Sequence, residues 1–418
     1  MIFIINSTEE KTPLDAKKDI PLQLSLPKVF FSYFANNNEF IRESKNEVSY
    51  DNTERDLLMK IKNGIDEYDI KDWDKSKKMA NPYELIYMPS RKIRHESIAN
   101  IDPLSRSYFK MWEMLFHHSF IPCDEKNACI LNIAEGPGGF IEALVNYRKK
   151  YHNAVDTINA ITLKSTNKEI PGWDKAYQFL MRNKNVKIHY GADNTGNIYS
   201  VENIKHLRSY IQEHEQMAIL ITADGGFDYS KNFNKQEMSS FKIIFCEIVT
   251  AISNQAKGGS FICKLFDTYS RISKSFIYLL CSLYDTVLIH KPVTSRPANS
   301  EKYIVCKGFR GIPERYLESL FVSIKLWNMV EGKGGQIKTI FKDEIPPKID
   351  NKLDELNTIH YQEQKQSIEK TINLIRNKPN LTELNGIIAE QVSHAKNWCR
   401  KYEIPVNTSS TFLEKKPS

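Results

Sequence analysis

The chain has 418 residues, more than one minimal domain needs, with 41% apolar and 26% charged residues, so a sizeable core can form. Lys and Arg outnumber Asp and Glu by 58 to 51, a formal charge of +7 that permits a polyanionic partner without demanding one. Seven cysteines without a C-x-x-C pair argue against a disulfide framework or a zinc knuckle and read as buried thiols in a reducing compartment. No run approaches the ~18 apolar residues of a membrane span. The start, Met1 to Asn6, is apolar but lacks the length and basic lead of a secretory signal. A soluble intracellular protein, with no membrane partner and no metal site, is expected.

Residues 1–95 are polar and irregular, and read as an N-terminal extension or small subdomain. Within them Thr53 to Tyr68 shows a helical patch, with Leu57, Leu58, Ile61 and Ile65 on one face. From about residue 100 the character changes. A helix is predicted over Ser105 to His117, and short apolar runs then alternate with helical patterns. The predicted strands are Cys129 to Ala134, Ile158 to Leu163, Val186 to Tyr190, Ala218 to Ala223, Ser260 to Phe266, Thr286 to His290 and Tyr303 to Cys306. Helices are predicted over Gly139 to Lys150, Lys235 to Lys257 and Ser270 to Leu283. Strands that are apolar throughout and alternate with helices signal an α/β fold with a doubly wound, seven-stranded, mostly parallel sheet. This Rossmann-like domain is placed at 96–314. Residues 315–418 form a helical C-terminal region, with amphipathic helices over Ile349 to Arg376 and Leu381 to Tyr402 broken by Lys378-Pro379-Asn380.

The first strand runs straight into Glu135-Gly136-Pro137-Gly138-Gly139 and then a helix. Glycines there let a ligand approach the main chain at the carboxyl edge of the sheet, where doubly wound folds bind nucleotide-like groups. An ordinary strand-to-helix turn is the alternative. A nicotinamide or flavin cofactor is disfavoured, because the G-x-G-x-x-G spacing would need glycine at position 141, which is Ile141, and the second strand ends Thr162-Leu163-Lys164 without an acid.

Three later segments add charge to the same edge. Asp224 closes an apolar run, Lys264 lies inside Phe261 to Phe266, and Glu301 precedes the last strand. A lysine inside a buried strand is costly unless paired. The pairing could be purely structural, or the lysine could snorkel at the strand end. Taken in order, Ser105 to Lys110, Ala134 to Gly139, Asp224, the Phe-x-x-Lys-Leu-Phe pattern around Lys264, and Ser295-Arg296 through Glu301 to Val305 resemble the FtsJ-like (RrmJ-like) ribose 2′-O-methyltransferases. The resemblance covers about residues 104–309 and is nearest to cap-type and adrift-type members, including those of large cytoplasmic DNA viruses such as the asfarviruses.

That resemblance implies S-adenosylmethionine as cofactor and RNA, above all the capped 5′ end of mRNA, as substrate. It implies a catalytic tetrad of Lys110, Asp224, Lys264 and Glu301. Donor contacts would come from Glu135, Gly136, Pro137, Gly138, Gly139, Phe140, Asp193 and Asp224, and substrate contacts from Ser295 and Arg296. It also suggests capping or transcription machinery as partners and, for a viral member, host cytoplasm or virion as location. An rRNA or tRNA methylase and a non-catalytic RNA-binding subunit are the alternatives. Three departures bear on the donor: Asn132 replaces an acid, Glu135 stands where a small residue is usual, and the second strand lacks its acid. Phosphates could be met by Arg91-Lys92-Ile93-Arg94-His95, Lys291, Arg296 and Lys302. Tyr33, Phe34, Tyr83 and Tyr87 are stacking candidates, with core packing as their alternative role. Lys264 is either a general base or an orienter of the 2′-oxygen, and steering is favoured.

Overall fold

The computed structural model describes residues 1–7, 24–35, 53–88, 96–165, 167, 170–214, 216–226 and 236–414. Apolar runs become strands, most of them buried on both faces and the edge strand β5 half-buried: β3 (Cys129–Ile133), β4 (Thr157–Ile161), β5 (Val186–His189), β6 (Ala218–Ala223), β7 (Gln255–Leu265), β8 (Tyr284–His290) and β9 (Lys302–Phe309). They lie in the order β8-β9-β7-β6-β3-β4-β5, all parallel except β9, which runs antiparallel to β7 and β8. The expected Rossmann-like α/β sheet is present, with an eighth strand. β1 (Ile2–Ser7) pairs antiparallel with β8, Ile2 opposite His290.

Side chains alternate across the sheet, so each strand feeds two cores. One gathers Leu131, Ile221, Phe261 and Cys263 under α6 (Val201–His214), α7 (Gln236–Asn254), α8 (Arg271–Leu283) and α9 (Glu314–Gly332). The other gathers Ile130, Leu220, Ile262 and Val305 under α3 (Ser107–His117), α4 (Gly139–His152) and α11 (Leu381–Lys401), with the short α5 (Tyr177–Arg182) at its margin. The helix expected to run to Lys257 stops at Asn254. Its last side chain turns back to Thr250 O, and Gln255 instead starts β7 by donating to Ala218 O at 2.9 Å.

The flanking segments pack into the same body. β10 (Gln336–Phe341) pairs with β2 (Val29–Phe34). α10 (Pro347–Arg376) lies against α1 (Thr53–Asn63) and α2 (Ile70–Ala80). Gln391 on α11 donates to Asn81 O at 2.7 Å, and Asn100 N donates to Pro405 O at 2.8 Å. Six of the seven cysteines are buried, and none is in a disulfide. No described helix is long and apolar enough to cross a membrane. The basic cluster Arg91 to His95 lies outside the described residues.

The Lys378-Pro379-Asn380 break ends in a capping box, in which Asn380 accepts from Glu383 N and Glu383 accepts from Asn380 N. Asn380→Ala should therefore cost about 1 kcal/mol in a urea unfolding titration; an unchanged midpoint would show that α11 is held by its packing alone.

Candidate active site

The topology delivers three charged side chains to one edge. β6 and β7 run parallel, so Asp224, just past β6, and Lys264, near the end of β7, emerge on the same side. β9 runs the other way, so its entry residue Glu301 reaches that edge too. Tyr303 is the register partner of Lys264 across the β7–β9 ladder, which places the two side chains on one face. Lys110 arrives from the first turn of α3, which packs over this face.

The four charges form two linked pairs. Lys110 Nζ lies 2.5 Å from Glu301 Oε1, and Lys264 Nζ lies 3.3 Å from Asp224 Oδ1 while donating to Asp224 O at 2.7 Å. The Tyr303 hydroxyl joins them, 3.0 Å from Asp224 Oδ1 and 2.9 Å from Glu301 Oε1. Its single proton can serve only one carboxylate at a time. All four charged side chains are nearly buried, at 13–15% exposure. Removing one member of such a pair strands its partner, typically at a cost of ~3–5 kcal/mol.

Protonation follows from this packing. Burial alone would lower the Lys264 ammonium, but Asp224, Glu301 and Glu247 outweigh it and hold it above the ordinary value, so Lys264 is charged at neutral pH. Burial would raise Glu301, but Lys110 and Lys264 prevail and leave it at about 2. Burial pushes Tyr303 up, and both carboxylates push it further, so it stays a neutral phenol.

Residues 103–309, which hold all four charges, match the model of the FtsJ-like methyltransferases. This segment belongs to that family. A cap-specific mRNA (nucleoside-2'-O-)-methyltransferase 1A from Caenorhabditis briggsae is 31% identical over 287 residues, covering 62% of this chain and 31% of its own length. The corresponding methyltransferase 1 of Mus musculus is 32% identical over 290 residues, 64% of this chain and 32% of its own. An inactive 1B relative from Caenorhabditis briggsae is 30% identical over 275 residues, covering 60% of this chain and 31% of its own length. The chain spans about a third of the length of these curated relatives. Among solved structures, a ribosomal RNA methyltransferase from Plasmodium falciparum is 25% identical, covers 50% of this chain and 99% of its own, and superposes with a TM-score of 0.33.

In this FtsJ-like segment the glycine loop is a close-packed cradle. A Cβ on Gly136 would lie 2.3 Å from Pro171 O, and one on Gly139 would lie 2.2 Å from the hydroxyls of Ser105 and Ser107. Gly138 sits at φ +104° beside the ring of Trp173, whose buried Nε1 has no hydrogen-bond partner among the described residues. Asp193 stands exposed past β5, its carboxylate held by Thr195 Oγ1 at 2.6 Å and Asn203 Nδ2 at 2.8 Å.

Several expected contacts fall elsewhere. The Glu135 side chain turns inward, accepting from Thr222 Oγ1 and from Asn132 Nδ2 at 3.1 Å, and burial pushes its carboxyl far up. Phe140 is 1% exposed and packs on Tyr303. Neither side chain offers surface to a donor. Ser295 is 3% exposed and donates to Glu301 O at 3.1 Å, so it braces the loop before Glu301. Arg296 forks onto buried Glu84 at 2.7 and 3.0 Å. Lys291 and Lys302 are buried, not phosphate-facing; Lys291 donates to Asn299 O and Glu301 O. Of the stacking candidates, Phe34 and Tyr87 are core residues, Tyr83 is half-buried and Tyr33 is exposed.

Three residues missed by sequence reasoning shape the site. Tyr303 was detectable, since it lies two residues from Glu301 on a strand and shares its face. Glu84 and Glu247 carried no local signal. Glu247 accepts from Gly225 N at 2.9 Å, directly after Asp224, and burial lifts its carboxyl to about 8 even though Lys264 pulls it down. The folded state thus keeps a proton that the unfolded chain releases near 4.5. Stability from this group is complete below about pH 4.5 and is lost as pH rises through about 8. Glu247→Gln should lose less stability than wild type between these limits, measured as urea midpoints. An identical pH dependence would contradict a buried neutral carboxyl.

Proposed function

We propose that this chain is an S-adenosylmethionine-dependent RNA ribose 2′-O-methyltransferase acting at the 5′ cap of mRNA. The observation that carries this reading is the charged Lys264 held by Asp224, beside the Lys110–Glu301 pair, at the sheet edge where the glycine loop opens. The FtsJ-like match and the relatives named as cap-specific mRNA 2′-O-methyltransferases support it. Capped transcripts, and the capping machinery that makes them, are the partners this reading implies.

The residues present fit the donor. The Gly136 to Gly139 cradle tolerates no side chains at its tight points, Trp173 Nε1 is an unused buried donor beside it, and Asp193 and Asp224 stand at the ends of β5 and β6. Gly136, Pro137, Gly138, Gly139, Asp193 and Asp224 would hold it. When bound, the donor supplies a methyl group already activated on a sulfonium. The protein's share of the work is alignment and control of one proton. A charged Lys264 cannot accept that proton, so it orients the ribose by donating to the 2′-oxygen and leaving a lone pair free for attack. Asp224, on the same ammonium, is the carboxylate placed to take the proton as the hydroxyl becomes acidic. Lys110, anchored by Glu301, contacts the substrate.

Lys264→Ala should lower methyl transfer to capped RNA by ~10²–10⁴-fold while calorimetric binding of S-adenosylmethionine survives. Near-normal turnover in the variant would sink the assignment. With the wild-type chain, equal transfer to uncapped RNA would favour an rRNA or tRNA substrate. No transfer to either would favour a non-catalytic RNA-binding subunit, a reading the inactive relative keeps in view.

A further inference from the structure

Helix α3 carries more than Lys110. Glu113 and His117 follow on it at i, i+4 spacing, which puts both on one face. Opposite them His290 ends β8. Each of the three offers one ligand atom, a carboxylate oxygen or an imidazole nitrogen, and these atoms all lie within 4.8 Å of one another. His290 Nε2 stands 4.0 Å from Glu113 Oε1. That is too long for a hydrogen bond and about 0.6 Å wider than the ~3.4 Å that two metal–ligand bonds of ~2.1 Å span at the tetrahedral angle, so a small inward shift of the side chains would close it around an ion.

The surroundings have the form of an outer shell. His290 Nδ1 is hydrogen-bonded to His118 Nε2 at 3.0 Å, and His117 Nε2 to the Tyr402 hydroxyl at 2.9 Å. Each imidazole thus uses one nitrogen for orientation and has the other for a ligand, as metal-bound histidines do. Glu113 accepts from Val293 N at 2.8 Å on Oε1, and from Thr294 Oγ1 at 3.3 Å and Trp398 Nε1 at 3.4 Å on Oε2. Glu113 and His290 are 2% and 1% exposed, and no lysine or arginine pairs with Glu113 among the described residues. A buried carboxylate without a cation is costly.

We propose that Glu113, His117 and His290 form a binding site for a divalent transition cation of the zinc class, open to solvent at the exposed His117 edge. Two imidazoles and one carboxylate suit zinc better than magnesium or calcium, which take oxygen ligands. The bound ion would tie α3 to β8 and, through Glu113, to the segment from Val293 to Glu301, bracing both sides of the candidate active site without touching the reacting atoms. No sequence motif announces it, because the ligands come from a helix and a distant strand. The site stands independently of the reaction proposed above.

The test uses the whole chain, stripped by a chelator and titrated with Zn(II) by calorimetry and with Co(II) by visible absorption. One Zn(II) per chain is expected, with the d–d bands of a low-coordinate Co(II) site and a higher thermal midpoint. His117→Ala, at an exposed position, should keep its metal-free midpoint yet bind Zn(II) at least ~10-fold more weakly. His290→Asn, at a buried position, should weaken Zn(II) binding as much and lose the Co(II) bands, whatever its metal-free midpoint. Absence of stoichiometric binding by the wild-type chain, or unchanged binding in both variants, overturns the proposal.

Discussion

Two lysines and two carboxylates share one nearly dry pocket, and the surrounding structure is organised around keeping their charges balanced. Neither pair is sufficient alone: Lys264 senses Glu301 as well as Asp224, and Glu301 senses Lys264 as well as Lys110. The phenol of Tyr303 bridges the carboxylates without adding charge. Burying any one of these ions singly would be prohibitive. As a set they are affordable, and the set leaves a fixed ammonium at the sheet edge. The same logic explains the uncharged acids behind them. Glu135 and Glu247 lie next to this cluster, and burial pushes the Glu135 carboxyl well up and lifts that of Glu247 to about 8, which favours the neutral form over two more charges.

The flanking segments serve this arrangement mechanically. α3 must be held at a set height over the sheet for Lys110 to reach Glu301. It packs against α4, meets α11 where Phe109 lies edge-on to Trp398, and is tied just past α11, where Trp112 Nε1 donates to Tyr402 O at 2.9 Å. The loop before Glu301 is fixed through Glu84, which precedes the FtsJ-like segment and grips Arg296, and through Glu113, which grips Val293. Residues outside the matched segment thus set the geometry within it.

Much of the fold was legible because its strands are buried on both faces and so read as unbroken apolar runs. Leu131, Ile221 and Ile262 needed no context to be recognised as core. β1 was not legible as a strand, since its pairing partner lies about two thirds of the chain length away and two of its apolar side chains, Ile2 and Ile4, face solvent. The charged quartet was legible only as an ordered set of motifs; no single residue announced it. The loop residues were misread for a physical reason. Ser295, Lys291 and Lys302 look like surface polar groups in sequence, but each satisfies backbone carbonyls inside the fold. Glu135 was misread likewise, because its partners Asn132 and Thr222 sit on two adjacent strands and become neighbours only when the sheet forms.

In the proposed reaction the edge-held ammonium presents a ribose 2′-oxygen to a methyl donor. Its most direct test is transfer of labelled methyl to a pair of capped RNAs that differ only in the first transcribed nucleotide, one carrying a 2′-hydroxyl and the other a 2′-deoxyribose. Label is expected on the first RNA, recovered on that nucleotide's ribose after nuclease digestion, and none on the second. Equal labelling of both, or label on a base nitrogen, would contradict the proposed reaction.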